Sequence, residues 1–128
     1  MSLRSPLGYV LGHGSAREGV HHWWHIRTTS AALAVLGVWF VFALLTLPDL
    51  SRGSVVAWLG RPFSAVLMIL FVFSMVWHSL LGVQVVVEDY VRGKGVRVLV
   101  LVLLRFIHVF AGAAALFAVL KLALGGKA

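Results

Sequence analysis

The fold is decided by residues 62–87, which read PFSAVLMILFVFSMVWHSLLGVQVVV and contain no Lys, Arg, Asp or Glu. A helix needs about 20 apolar residues to cross a bilayer, so this run can span one. Pro62 suits the first turn of a helix, where its missing N–H costs no hydrogen bond. Glu88 and Asp89 follow the run and are predicted to mark the membrane surface.

Two further apolar runs flank this one, at about residues 28–47 and 96–124. Pro48-Asp49 ends the first, and VRGKG at 91–95 separates the second from the third. We therefore predict an all-α integral membrane protein with three transmembrane helices, forming a single domain over 1–128 with an N-terminal segment at 1–27. Residues 50–61 form a connector, part of which we expect to lie in the membrane interface through Val55, Val56, Trp58 and Leu59.

The composition excludes a water-soluble domain. Of 128 residues, 61% are hydrophobic and 12% charged, and mean hydropathy is +1.00, whereas soluble domains carry about 25% charged residues. The chain has no cysteine, which excludes a disulfide framework, a cysteine nucleophile and a thiolate-bound iron–sulfur cluster in this chain.

The basic residues indicate a membrane surface rather than nucleic acid. The net charge is +7, but the cations flank apolar runs, where they attract anionic lipid headgroups. With three spans, the N-terminus and the loop at 91–95 share one side. That side carries six basic residues and the other carries four, which favours a cytoplasmic N-terminus: Arg4, Arg17, Arg27, Arg92, Lys94 and Arg97 against Arg52, Arg61, Lys121 and Lys127.

One face of the second span carries polar groups. At 100° per residue, His78, Gly82, Val85 and Asp89 fall on the same side of a helix. An imidazole at membrane depth is a natural axial ligand for haem iron, and Gly82 leaves room for a flat macrocycle. The alternative is a histidine hydrogen-bonded to a neighbouring helix, with the glycine serving helix packing.

Other polar residues also leave alternatives open. His21 and His25 are spaced i, i+4, as zinc ligands on a helix are, although no third ligand is evident. Arg27 is either a snorkelling anchor or a cation facing an anionic or carbonyl-bearing ligand. Arg105 and His108 can point the same way on the third span. We favour a role in subunit packing for Arg105, whereas His108 is a conceivable rival haem ligand, although its neighbours match no motif.

The string HSLLGVQVVVEDYVR at 78–92 contains the pattern H-x3-G-x6-D-Y-[VT]-[KR], with Arg97 seven residues after Tyr90. This pattern resembles the signature of the smaller, hydrophobic membrane-anchor subunit of succinate dehydrogenase. The strings GSAREG at 14–19 and HWW at 22–24 are most similar to the alphaproteobacterial branch of that family. The resemblance extends over essentially the whole chain.

The resemblance implies a role for each matching residue. His78 would be one of two axial ligands of a haem b, the other coming from the partner anchor subunit. Tyr90 would donate its hydroxyl proton to a carbonyl of ubiquinone, supported by Asp89. Arg27 would lie near the quinone or the haem propionates, and His21 could also approach the propionates. None of these residues would catalyse a reaction in this chain alone.

The resemblance also implies a complex. The partners would be a second membrane-anchor (cytochrome b) subunit, packed with this chain into a helical bundle, together with an iron–sulfur subunit and a flavoprotein subunit. The complex would pass electrons from succinate to ubiquinone in the bacterial inner membrane, in contact with lipid and not nucleic acid. The alternatives are an anchor of a related quinol:fumarate reductase, and a cofactor-free structural or assembly protein in which His78 only packs.

Overall fold

A computed structural model describes residues 16–125, with the surroundings of side chains from Val20 onward. The regular structure within that range is helical: α1 (Ala16–Leu45), α2 (Arg52–Leu59), α3 (Pro62–Tyr90) and α4 (Lys94–Ala123). Residues 20–45 of α1, and the whole of α3 and α4, are long and apolar enough to cross a membrane. The predicted all-α fold with three spans is therefore confirmed for this part of the chain, while residues 1–15 of the expected N-terminal segment lie outside it.

The helices extend further than the apolar runs that predicted them. The first helix begins at Ala16 rather than near Thr28, and α3 continues through Tyr90. The physical reason is that polarity marks where a span leaves the bilayer, whereas a helix ends only where its backbone pattern is broken. Asp89 and Tyr90 consequently lie in the last turn of α3.

The central helix is α3, which packs against both α1 and α4, whereas the backbones of α1 and α4 do not approach each other closely within residues 16–125. Phe40 of α1 stacks on Phe71 of α3 with ring centroids 5.1 Å apart. On the other side, a Cβ added at Gly112 of α4 would lie 3.3 Å from Val76 Cγ1, so these two helices are close there. Polar groups placed on α3 can therefore meet partners on both sides.

The connector contains α2, which packs inward. Its N-cap is Ser51, whose hydroxyl accepts a hydrogen bond from the Ser54 N–H. The Trp58 ring stacks on Trp39 of α1 at 5.8 Å between centroids, and Trp58 and Leu59 are buried. These two side chains are therefore covered by the chain itself, and the expectation that part of this connector lies in the membrane interface stays a prediction.

The turn before α2 is organised by Asp49. Its Oδ1 accepts hydrogen bonds from the Ser51 hydroxyl at 2.6 Å and the Ser51 N–H at 3.0 Å. These bonds stabilise the charged carboxylate. The hydroxyls of Ser51 and Ser54, together with that backbone N–H, hold the pKa of Asp49 below its ordinary value.

Little of the apolar surface is buried within the chain. The buried hydrophobic residues among those described are Trp58, Leu59, Val72, Val87 and Val119. Large apolar side chains on all three long helices remain exposed, including Phe42, Phe106 and Phe110. An exposed apolar surface of this extent requires lipid or another protein against it.

Candidate functional site

His78 lies where α3 packs against α1. Its Nδ1 is 3.0 Å from the Oγ1 of Thr29, and both residues are partly buried. A second contact supports this register, because the ring of Trp77 lies 6.3 Å from that of His25 on α1. The interhelical hydrogen bond fixes both the position of the imidazole and the direction in which its other nitrogen points.

The hydrogen bonds of Thr29 favour one tautomer of His78. Thr29 Oγ1 lies 2.8 Å from the carbonyl oxygen of His25 and 3.0 Å from that of Ile26. A hydroxyl has one proton but two acceptor lone pairs. When that proton goes to a carbonyl of the preceding turn, as is usual for Thr in a helix, Oγ1 accepts the Nδ1–H of His78. His78 Nε2 then keeps its lone pair.

That lone pair is available for a ligand. Nε2 of His78 has no hydrogen-bond partner among the described residues. One turn further along, a Cβ added at Gly82 would meet nothing within 4 Å. An imidazole with one nitrogen held and the other open, beside a helix surface without a side chain, fits the axial ligand of a haem.

His108 has a different environment. Its Nδ1 is 2.8 Å from the carbonyl oxygen of Leu104, and its Nε2 is 3.3 Å from the Oγ of Ser79. A carbonyl can only accept, so Nδ1 is the donor and Nε2 accepts the Ser79 proton. Both nitrogens are therefore used within the described part of this chain, so His108 offers no free nitrogen to a ligand in this arrangement.

Arg105, its neighbour on α4, is exposed. Within residues 16–125 it forms no hydrogen bond or ion pair of its own, so the partner expected for it at depth is not supplied by the described part of this chain.

Asp89 and Tyr90 lie open at the end of α3. Tyr90 is 81% exposed, and neither side chain forms a hydrogen bond to another described residue. The loop that follows is held by Arg97, whose Nε donates to the carbonyl oxygen of Val91 at 2.9 Å. A carboxylate and a phenol are thus presented next to a fixed loop, free to contact a ligand or another subunit.

Arg27 lies nearer to His78 than to Tyr90 along the helix axes. Measured from the contact between Thr29 and His78 at 1.5 Å per residue, Arg27 is about 3 Å and Tyr90 about 18 Å towards the same end. His21 is about 12 Å from that contact on the same scale. The guanidinium of Arg27 stacks over Trp23, 5.3 Å from the ring centroid. The predicted site residues therefore form two groups, one near His78 and one at the end of α3.

The zinc hypothesis gains no third ligand. Within the part of the chain that the structure describes, no group of three His, Cys, Asp or Glu side chains could hold a metal ion. His21 is exposed, and the neighbouring His22 has a buried Nε2 without a hydrogen-bond partner.

Sequence analysis missed the hydroxyl partners of both deep histidines. Thr29 stood in the string TTS at 28–30, which indicated only the start of a span, and Ser79 stood inside the family pattern without a role. A hydroxyl side chain among apolar residues, at the same depth as a histidine, was the available signal for such a hydrogen bond. Which hydroxyl meets which histidine, however, depends on the register between the helices.

The fold and the site define a class: a small multi-pass helical membrane subunit whose central helix offers one imidazole with an open Nε2. Residues 1–120 match the family model described as succinate dehydrogenase/fumarate reductase transmembrane subunit, and the chain belongs to this family.

Individual relatives agree. The chain is 32% identical over 125 residues to the succinate dehydrogenase hydrophobic membrane anchor subunit of Paracoccus denitrificans, across 98% of this chain and 96% of that protein. It is 35% identical over 85 residues to the subunit of the same name in Rickettsia conorii, across 66% and 68%. It is 29% identical over 96 residues to the succinate dehydrogenase membrane anchor subunit of Reclinomonas americana, across 73% and 80%.

These comparisons confirm the prediction of a succinate dehydrogenase membrane anchor of alphaproteobacterial type. The chain is thus part of an oxidoreductase complex and a multi-pass membrane protein.

Proposed function

We propose that this chain is one of two membrane anchors of a succinate:ubiquinone oxidoreductase, in which it supplies an axial ligand to a haem b and one wall of a ubiquinone site. Its partners are a second, cytochrome b-type anchor, an iron–sulfur subunit and a flavoprotein subunit that oxidises succinate. The complex lies in the bacterial inner membrane with the N-terminus of this chain in the cytoplasm, as the excess of basic residues on that side favours.

The observation that carries this proposal is the state of His78. Its Nδ1 is engaged by Thr29 at 3.0 Å, its Nε2 has no partner among the described residues, and the helix surface at Gly82 is open. His78 Nε2 would bind the iron, and the second anchor would supply a further ligand. When bound, haem b would supply a one-electron store in the complex.

Tyr90 and Asp89 serve the quinone. Reduction of ubiquinone to ubiquinol takes two electrons and two protons. A phenolic O–H aimed at a quinone carbonyl oxygen stabilises the negative charge that develops there as electrons arrive. Tyr90 is exposed at the membrane edge and can take this role, while Asp89 beside it can hold and pass a proton from the aqueous side.

Arg27 and His21 serve the negatively charged edge of the site. Arg27 lies about 3 Å along the axis from the level of His78, which suits a cation that pairs with the haem carboxylates better than one that contacts the quinone beside Tyr90. His21 lies between the two levels and would approach the carboxylates from the cytoplasmic side.

A second candidate function has the opposite direction of electron flow, from quinol to fumarate. The family description includes fumarate reductase as well as succinate dehydrogenase, and a quinol:fumarate reductase anchor would need the same ligand and quinone groups. A cofactor-free structural or assembly role would require none of them.

The test uses the four-subunit complex, purified in mild detergent through a tag on this chain. We expect a reduced-minus-oxidised spectrum with the α-band of a b-type haem. His78→Ala should abolish that spectrum or diminish it, whereas the matched variant His108→Ala should keep it, because both nitrogens of His108 are already used. An unchanged spectrum in His78→Ala, or its loss only in His108→Ala, would show that the ligand assignment is wrong. A colourless but complete wild-type complex would favour the structural role.

A further inference from the structure

We propose that Thr29 is a positioning residue for the haem ligand: its hydroxyl holds the Nδ1–H of His78, directs Nε2 towards the iron and sets the electron-donating strength of the imidazole. The inference rests on the proposed role of His78 as an axial ligand. It adds a residue of α1, outside the family pattern at 78–92, to the machinery of the site.

The hydrogen-bond geometry permits one arrangement compatible with a metal at Nε2. Iron binding requires the Nε2 lone pair, so the ring proton must lie on Nδ1, 3.0 Å from Thr29 Oγ1. Thr29 then accepts that proton and gives its own to a main-chain carbonyl. The carbonyl of His25, at 2.8 Å, is the better acceptor, because that of Ile26 also accepts from Ser30 at 2.8 Å.

The surroundings make this hydrogen bond a strong constraint. Thr29 and His78 are both partly buried at the contact between α1 and α3. In a low-dielectric environment a hydrogen bond is stronger than in water. The β-branched side chain of Thr29 has few rotamers in a helix. The oxygen therefore holds the imidazole plane in one orientation.

Two effects on the haem follow. A ligating histidine that donates its other N–H is a more basic ligand and is held in one tautomer. A more basic imidazole stabilises ferric iron more than ferrous iron, so the hydrogen bond from His78 to Thr29 lowers the midpoint potential. Loss of the hydroxyl should raise that potential and weaken haem retention.

The decisive variant is Thr29→Val, which keeps the shape and removes the hydroxyl. We expect a tenfold loss of the preference for ferric over ferrous haem, which is about 59 mV upward for a one-electron couple. The haem-to-flavin ratio should fall on prolonged washing in detergent, and the EPR spectrum of the low-spin ferric haem should change as the imidazole plane is released.

Two matched variants distinguish the effect of the Thr29 hydroxyl from the effect of its packing. Thr29→Ser keeps the oxygen and loses the methyl group, so its potential and haem content should match the wild type. Thr28→Val makes the same change at the adjacent, exposed position, which forms no side-chain hydrogen bond among the described residues, and should also be silent.

All variants are measured in the assembled complex, by redox titration of the haem α-band and by EPR. The proposal is overturned if Thr29→Val assembles with an unchanged potential and EPR spectrum. It is also overturned if Thr29→Ser, which keeps the oxygen, raises the potential above that of the wild type by about 59 mV, and this second criterion applies even where the valine variant fails to assemble. His78→Ala is measured in parallel. If this variant retains the haem signal, the assignment of His78 as a ligand fails. If it loses the haem signal while Thr29→Val leaves the potential and the EPR spectrum unchanged, only the role of Thr29 is refuted.

Discussion

A methyl group added at Gly82 tests whether this surface of α3 belongs to a ligand or a partner. A Cβ at this position would meet nothing within 4 Å in this chain. Alanine is a better helix former than glycine by about 1 kcal/mol, so Gly82→Ala should leave the chain alone as stable as the wild type or more stable. In the complex, the same methyl group would occupy the space next to the haem, and haem content should fall.

Gly112 provides the matched control. Its added Cβ would lie 3.3 Å from Val76 Cγ1, so the Val76 side chain would have to yield by a few tenths of an ångström. Overpacking of this kind costs about 1–3 kcal/mol. The same gain of about 1 kcal/mol in helix propensity opposes that cost, so Gly112→Ala should leave the chain alone less stable than Gly82→Ala does, with loss of haem only as far as the fold is lost.

The assay has two parts. Helix unfolding of the full chain in detergent micelles is followed by circular dichroism as denaturing detergent is added, and the haem-to-flavin ratio is measured in the purified complex. Equal destabilisation of the chain by Gly82→Ala and Gly112→Ala would refute the packing argument. Full haem content with an unchanged spectrum in Gly82→Ala, and also in the larger Gly82→Leu, would refute the assignment of this surface to the haem.

Three further predictions concern the ends of the spans. Tyr90→Phe should slow quinone reduction by about 100-fold, the cost of losing one preorganised donor, while succinate oxidation with an artificial acceptor persists; equal loss of both activities would contradict a local role. Arg97→Gln should lose the hydrogen bond to Val91 and lower the local stability of the loop after α3 by about 1 kcal/mol. Amide hydrogen exchange should then become faster in that loop alone, and an unchanged exchange rate would show that the bond contributes nothing. The pKa of Asp49 is below its ordinary value of 3.8, so its contribution to stability is present above that pH and is lost as the pH falls through the lowered pKa. Ser51→Ala removes the largest cause, and NMR titration of the labelled carboxyl should show that pKa rising towards its ordinary value.

The number of spans could be predicted from the sequence, but the helix bounds could not. Three apolar runs with polar breaks between them leave few alternatives, because unsatisfied backbone groups in lipid require helices. The start of α1 at Ala16 was missed because hydropathy reports the edge of the bilayer and the helix continues beyond it. The inward packing of Trp58 depends on Trp39, a residue on another helix, and no local pattern contains it.

The amino-acid sequence alone predicts three membrane spans and basic residues at their ends. It also places two histidines at membrane depth, and the pattern that includes His78 and Tyr90 indicates the family. The family pattern favoured His78 as the ligand, with His108 as a rival that matched no motif. The tertiary structure distinguished them, because the register of α1 on α3 places Thr29 against His78 and leaves Nε2 open, whereas the register of α4 on α3 places Ser79 against His108 and uses its second nitrogen. Hydrogen bonds act over about 3 Å, so which nitrogen remains open is decided by contacts between residues far apart in the chain.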